Sequence, residues 1–166
     1  TINNGSNPIT SEITVVPLYT YAGKTCEGTP KSYLITVNPA ARIDFSLPNQ
    51  TICSNTTSAV INLTSTTSNV DFTWTAQSIA GIVGLVTSGS NQIPAQTLVN
   101  TTNAPITIVY KAKATTLGAA SCEGVETEYR ITVNPIPTLT ASETSKTICS
   151  NQSTNISLSS NVVGTR

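Results

Sequence analysis

Four cysteines are the residues with the most distinctive chemistry in this sequence, and they stand far apart, at Cys26, Cys53, Cys122 and Cys149. A zinc site needs cysteines and histidines in close pairs, but the sequence contains no CxxC pair and no histidine. An even number of distant cysteines in a chain rich in threonine and asparagine is typical of disulfide bonding in an oxidising compartment. The cysteines therefore predict disulfides and an extracellular or cell-surface location.

Acid–base chemistry has few candidate residues. General catalysis needs convergent groups with tuned pKa values, whereas the carboxylates here are scattered and histidine is absent. Three glutamates follow Cys122 closely, at Glu123, Glu126 and Glu128, and they are the candidates for a calcium site, although their spacing is not that of a DxDxDG loop. We expect a chain without catalytic activity, cofactor or resident metal.

Trp74 is the single tryptophan, and an exposed tryptophan would suggest stacking on a carbohydrate. Its segment VDFTWTA, at 70 to 76, places Val70, Phe72 and Trp74 in strict alternation with polar residues, as in a half-buried strand. The alternation predicts that the tryptophan lies in a core. The same test on neighbouring strands adds Tyr110 and Ile131 to Trp74 and Phe72 as predicted core residues, with the Tyr110 hydroxyl anchoring a loop.

A repeat organises the whole sequence. CEG at 26 to 28 leads into YLITVNP, and CEG at 122 to 124 leads into YRITVNP, an offset of 122 − 26 = 96. TICSN at 51 to 55 returns at 147 to 151, again 147 − 51 = 96. This period is too long for a solenoid repeat, so each unit should be a separate domain. We expect the C-terminal part of one repeat at 1–38, a complete repeat at 39–135, and the N-terminal part of a third at 136–166.

Hydrophobic alternation and turn residues predict seven strands in the complete repeat, near 41–47, 59–65, 70–76, 82–88, 95–101, 106–114 and 129–133. Seven short strands in about 96 residues are typical of an immunoglobulin-like β-sandwich. The joints VNPAAR and VNPIPT contain proline and no flexible Gly/Ser run, which favours an extended and fairly stiff arrangement of domains. The predicted fold is all-β, built of tandem sandwich modules.

Composition excludes two kinds of partner. Charged residues make up 10% of the chain and the formal net charge is zero, so no basic surface is available for nucleic acid. No apolar run approaches the roughly 20 residues that span a bilayer, and membrane insertion is not expected.

TICSN, FTWTA, the segment GIVGLV, the strand ITIVYKAKA and the CEG and VNP motifs together resemble the PKD-like repeats of long Bacteroidota cell-surface proteins. The resemblance covers the whole chain and implies immunoglobulin-like sandwiches strung in tandem. It also implies a parent protein of the gliding-motility adhesin type, exported by the type 9 secretion system. The sequence differs from true PKD domains because Thr75, Ala76 and Gln77 follow Trp74 where those domains have an acidic, glycine-rich turn.

The 96-residue period allows two disulfide schemes: Cys53 with Cys122 inside one module, or Cys26 with Cys53 and Cys122 with Cys149 across the joints. The loop entropies of the two schemes are too similar to choose between them. In the second scheme the partners should lie at opposite ends of successive domains, beyond the reach of a disulfide. We therefore predict Cys53 with Cys122, leaving Cys26 and Cys149 to partners outside this sequence, and keep the other scheme as the alternative.

These patterns favour a non-catalytic structural or adhesive stalk at the cell surface. Its expected partners are neighbouring repeats of the same chain and, at a binding tip, surface polysaccharide or other surface proteins. One alternative is the subunit of an extracellular filament assembled through exposed strand edges. Another is a glycan-binding module.

Overall fold

The computed structural model describes residues 2–118 and 120–166, and within them the chain forms strands and no helix. The prediction of an all-β fold is confirmed. The strands are β1 (Ile9–Val15), β2 (Leu18–Tyr21), β3 (Lys24–Glu27), β4 (Lys31–Val37), β5 (Asp44–Phe45), β6 (Gln50–Cys53), β7 (Thr56–Thr57), β8 (Ile61–Thr64), β9 (Val70–Ala76), β10 (Ile82–Val83), β11 (Ser88–Ser90), β12 (Gln92–Ile93), β13 (Thr97–Asn100), β14 (Ile106–Thr116), β15 (Thr127–Asn134), β16 (Leu139–Ala141) and β17 (Leu158–Ser160).

The larger sheet of the central part has the strand order β11-β9-β14-β15-β6. Strands β9, β14 and β15 are long and antiparallel, and their alternating apolar residues turn one face of the sheet inward. The edge strand β6 lies parallel to β15, with Gln50 opposite Ile131 and Cys53 opposite Asn134. A parallel partner so distant in sequence closes this edge of the sheet.

Two three-stranded sheets, β12-β8-β5 and β10-β13-β7, provide the opposite layer of the sandwich. The core lies between the layers. From the large sheet it receives Trp74, Ile108, Tyr110, Tyr129, Ile131 and Val133, and from the opposite layer Ile61, Leu63, Ile93 and Leu98. Burial of these side chains from both layers is the main source of the domain's stability. The architecture is an immunoglobulin-like sandwich.

The expected number of strands was too low. Among the described residues of 39–135 the structure has eleven strands, β5 to β15, where seven were predicted. The predicted strand at 82–88 is divided into β10 and β11, because Gly84 turns the backbone at a φ of +86° and a side chain there would overlap the carbonyl oxygen of Thr97. Strand β6 was missed because four residues carry little periodicity of their own.

The segments on either side of the sandwich have the same strand pairings as the sandwich itself. Strands β1 and β4 pair with Ile9 opposite Val37, as β14 and β15 pair with Ile106 opposite Val133. Strands β16 and β17 pair with Ala141 opposite Leu158. This register matches that of β5 and β8, where Phe45 lies opposite Leu63.

The two copies of the YxITVN strand differ in what covers them. Tyr129 is 1% exposed in the central sandwich, whereas Tyr33, at the equivalent position of β4, is 53% exposed. The difference arises because no second layer of the described residues packs on β1 and β4. No helix in the described part of the chain is long and apolar enough to cross a membrane.

Candidate functional site

Trp74 lies in the middle of the core and is 2% exposed. Its indole N–H donates a hydrogen bond to the carbonyl of Gln92 at 2.8 Å, and its ring meets Tyr110 edge-on with 5.7 Å between centroids. Gly89 is its cross-strand neighbour, and a Cβ there would lie 2.6 Å from the indole ring. The indole therefore has no face free to stack on a sugar.

The other predicted core residues also lie inside the sandwich. Tyr110 and Ile131 are fully buried, and Phe72 is partly buried and packs against the core. The Tyr110 hydroxyl accepts a hydrogen bond from the amide of Gln96 at 3.2 Å, and the Gln96 side-chain oxygen accepts one from Val86 N–H at 2.7 Å. Tyr110 thus holds the loop before β13 in place through Gln96, a residue that the sequence analysis did not select.

Burial shifts the ionisation of both core tyrosines. Burial disfavours the charged phenolate and raises the pKa of Tyr110 to about 12, and the Gln96 hydrogen bond opposes only part of this shift. The pKa of Tyr129 is also raised, chiefly by burial, against the effect of its bond from Gln50. The Tyr129 hydroxyl donates to the carbonyl of Pro48 at 2.7 Å. Both hydroxyls therefore act as structural hydrogen-bonding groups at neutral pH.

A buried asparagine that was not among the residues predicted from the sequence ties the end of the sandwich together. The Asn100 amide donates to the carbonyls of Ala104 and Val133, both at 2.8 Å, and its oxygen accepts from Thr102 N–H at 2.9 Å. Asn3 makes the equivalent bonds, to the carbonyls of Asn7 and Val37 and from Gly5 N–H. The sequence signal was the repeated pair INNGSNPIT and VNTTNAPIT, in which the first asparagine of each is this residue.

The three candidate calcium ligands do not converge. Glu126 pairs with Lys111 at 3.1 Å, Glu123 pairs with Lys113 at 3.3 Å, and Glu128 pairs with Arg130. These pairs are solvent-exposed and contribute little to stability. Within residues 2–118 and 120–166, no three acidic, cysteine or histidine side chains lie close enough together to hold one metal ion.

In the structure all four cysteines are free thiols, and Cys53 and Cys122, for which we predicted a disulfide, lie at opposite ends of the large sheet. Cys53 lies beside Asn134, at the end of the sheet where Ile106 begins β14. The carbonyl of Cys122 accepts from Thr116 N–H at 3.0 Å, at the other end of β14. Ten residue steps of about 3.3 Å separate the two ends by roughly 33 Å, whereas a disulfide needs Cα atoms within about 7 Å.

The N-terminal end of the sandwich is a closely fitted joint with the preceding segment. The Asn38 side chain donates to the carbonyl of Ala120 at 3.0 Å, and Pro39 and Ala41 are buried. The Ala41 carbonyl oxygen lies against Gly124, leaving no space for a side chain at that position. Gly124 N–H donates to the carbonyl of Ala114 at 2.8 Å. The glycine of the CEG motif is therefore required where the linker crosses this end of the sandwich.

The C-terminal end has a corresponding joint with the following segment. Pro135 is buried there, as Pro39 is at the first joint. The Asn161 amide donates to the Asn103 side-chain oxygen at 2.8 Å, and the Asn161 oxygen accepts from Thr138 N–H at 2.6 Å. At the first joint the corresponding loops, around Ser6 and Thr67, line one shared crevice. The two ends of the sandwich, and not a cleft between its sheets, are the candidate functional surfaces.

Comparison with known proteins agrees with this architecture. A family profile described as a PKD-like domain matches residues 50–137, slightly more than half of the chain. The matched range contains strands β6 to β15 and therefore most of both layers of the sandwich. No curated protein sequence matches the chain.

Proposed function

Because the chain belongs to the PKD-like domain family, we propose that it is a section of a tandem array of sandwiches that forms a stiff, non-catalytic stalk outside the cell. Domains of this family have a non-catalytic fold and are typically extracellular. In the stalk, each sandwich serves as a spacer. Its partners are the repeats before and after it in the same chain.

The observation that carries this proposal is the joint at Asn38–Ala41. A flexible tether would leave the linker in solvent, but Pro39 and Ala41 are buried and Ala41 lies directly over Gly124. Proline fixes φ at position 39, and the Asn38–Ala120 hydrogen bond limits rotation of one domain against the next. These restraints favour a joint with one preferred orientation.

The repeated pairings outside the central sandwich support the tandem arrangement. Asn3 and Asn100 make equivalent hydrogen bonds, and β1–β4 and β14–β15 share one register. The exposed apolar face of β1 and β4, formed by Ile9, Ile13 and Ile35, corresponds to a face that is covered in the central sandwich. We infer that residues 1–38 are the C-terminal part of one repeat and residues 136–166 the N-terminal part of another.

The biological setting that we propose comes from the sequence resemblance. The motifs of this chain are similar to those of long Bacteroidota surface proteins of the gliding-motility adhesin type, which leave the cell by type 9 secretion. In such a protein the array would carry a binding tip away from the cell, toward surface polysaccharide or other surface proteins. The buried Trp74 does not favour sugar binding by this module itself.

Small-angle X-ray scattering on chains of two, three and four copies of residues 39–134 tests the stalk. A stiff array should lengthen by a constant increment of about 35 to 40 Å per copy, the length of the sheet plus its joint. As the matched variant, replacing Asn134 and Pro39, the two residues that meet at each joint between copies, with glycine should make the length grow more slowly with copy number. Growth with the square root of copy number in the unaltered chains would contradict the proposal.

A further inference from the structure

The two kinds of cysteine lie at opposite ends of the sandwich, one at each joint. Cys53, from TICSN, is exposed at the C-terminal end, beside Asn134 and the linker that follows it. Cys122, from CEG, is half-buried at the N-terminal end, beside the linker that precedes the sandwich. Each joint of a tandem array would therefore bring together one TICSN cysteine and one CEG cysteine, from successive repeats.

Asn38 and Asn134 occupy equivalent positions in two successive repeats. The surroundings of one therefore indicate what surrounds the other in a tandem array. Asn134 is the parallel neighbour of Cys53 in β15 and β6, and parallel strands lie about 4.8 Å apart. Asn38 donates a hydrogen bond to the Ala120 carbonyl at 3.0 Å, and the Cys122 thiol lies 3.8 Å from that same oxygen. The TICSN cysteine of the preceding repeat would therefore lie beside Asn38, with the Ala120 carbonyl group between it and Cys122.

We propose that the TICSN cysteine of each repeat forms a disulfide with the CEG cysteine of the next repeat, so that every joint of the array is covalently stapled. In this chain Cys53 takes its partner from the repeat that follows, and Cys122 from the repeat that precedes. The proposal rests on the tandem array proposed above. The end of the sandwich that carries Cys53 then has the CEG loop of the next repeat as its partner.

This pairing also accounts for the four free thiols. Cys26 is on the β2–β3 hairpin, beyond the Val15–Lys31 end of the β1–β4 ladder, whereas Cys53 lies at the far end of the central sheet. Cys122 lies at the N-terminal end of that sheet, whereas Cys149 follows the second joint. The length of the central sheet separates Cys53 from Cys122, and the same sheet lies between the partners of the cross-joint scheme. The proposed partners lie in the repeats on either side.

The chemistry is thiol–disulfide exchange with an external disulfide, such as oxidised glutathione or a protein disulfide of the export compartment. The Cys53 thiolate attacks one sulfur of that disulfide, releases one thiol and leaves a mixed disulfide. The second cysteine then attacks the mixed disulfide at the Cys53 sulfur. Two protein thiols are oxidised to one disulfide, and one external disulfide is reduced to two thiols.

The first experiment uses the 166-residue chain, treated with oxidised glutathione at low protein concentration and mapped by mass spectrometry without reduction. We expect every cysteine to be either a free thiol or capped by glutathione, because none of the four has its partner present. A peptide joining Cys53 to Cys122, Cys26 to Cys53, or Cys122 to Cys149 would overturn the proposal.

The second experiment completes the third repeat by adding a copy of residues 72–135 after Arg166. The original Cys122 is replaced by Cys122→Ser, so that the CEG cysteine of the added copy is identified unambiguously. We expect a peptide that joins Cys53 to this added cysteine. Cys149→Ser should leave that bond intact, and Cys53→Ser should abolish it and leave the added cysteine free.

A bond between Cys149 and the added cysteine would overturn the proposal, since it would close a single module. A free added cysteine in a lengthened chain that melts cooperatively would overturn it as well. Scattering of the reduced copies of residues 39–134 tests the array without any disulfide. A constant increment of length together with a free added cysteine would therefore disprove the staple and leave the array standing.

Discussion

The carbonyl oxygen of Ala41 occupies the space in which Gly124 would carry a side chain. The linker before the sandwich thus lies on the backbone of the CEG loop and not on a layer of side chains. Ala41 is 3% exposed, and the carbonyl oxygen of Ala114, near the end of the longest strand, lies beside the same space. The fit of one domain to the next depends on the absence of a single methyl group.

Gly124→Ala should destabilise the chain by about 1–3 kcal/mol, because the added methyl group must displace Ala41. Denaturant unfolding of the 166-residue chain provides the measurement. Val125→Ala is the matched control, since it trims an exposed side chain next to the same position and should change stability by less than about 0.5 kcal/mol. Equal stabilities for Gly124→Ala and the parent chain would show that the linker does not rest there.

Gly89→Ala should cost about 1–3 kcal/mol in the parent chain, because its Cβ would lie 2.6 Å from the Trp74 ring. In a Trp74→Ala background, which itself should cost about 3–5 kcal/mol, the same change should be nearly neutral. A double-mutant cycle measured by thermal unfolding isolates this coupling. Additive losses would mean that Gly89 is needed for its backbone and not for the tryptophan.

The folded chain should become less stable in alkaline solution because Tyr110 loses its proton more readily in the unfolded chain. Its pKa is about 12 in the folded chain and about 10 in the unfolded chain, so the unfolded chain releases the proton first. The stabilisation is therefore complete below pH 10 and is lost between pH 10 and 12, at up to about 1.4 kcal/mol per pH unit. Unfolding of Tyr110→Phe should depend less steeply on pH in this range, and Tyr19→Phe, at an exposed tyrosine, should behave as the parent chain does. The same dependence of unfolding on pH in the parent chain and in both variants would contradict this role of Tyr110.

Asn100→Asp should destabilise the sandwich although it preserves the shape of the side chain. The change replaces the amide that donates to the carbonyls of Ala104 and Val133 with an oxygen that cannot donate. Unsatisfied buried carbonyls make a loss of about 2–3 kcal/mol the expected result in denaturant unfolding. Asn103→Ala is the control, since it removes only an exposed contact with Asn161. A near-native Asn100→Asp would show that the amide bonds are dispensable.

Local sequence pattern predicted the parts of the fold that depend on neighbouring residues. Alternation in VDFTWTA was sufficient to place Trp74 inward, because successive side chains of a strand point to opposite faces. The 96-residue offset showed that the two copies of CEG hold equivalent positions of the repeat, and that the two copies of VNP do so as well. The residues at the joint belong to these repeated motifs, but the sequence does not show that Gly124 lies beneath Ala41.

Tertiary structure decided which distant segments meet. Strand β6 pairs in parallel with β15, about 80 residues further along the chain, and only that pairing places Cys53 at the C-terminal end of the sandwich. Cys122 lies after the last residue of β14, where no periodicity indicates which end of the sheet it reaches. Without that pairing the 96-residue period left two disulfide schemes, and the one we favoured joins two cysteines that the fold holds a full strand length apart. The direction in which each side chain faces could be predicted from residues next to one another, whereas the end of the sandwich at which each cysteine lies depends on long-range strand pairing.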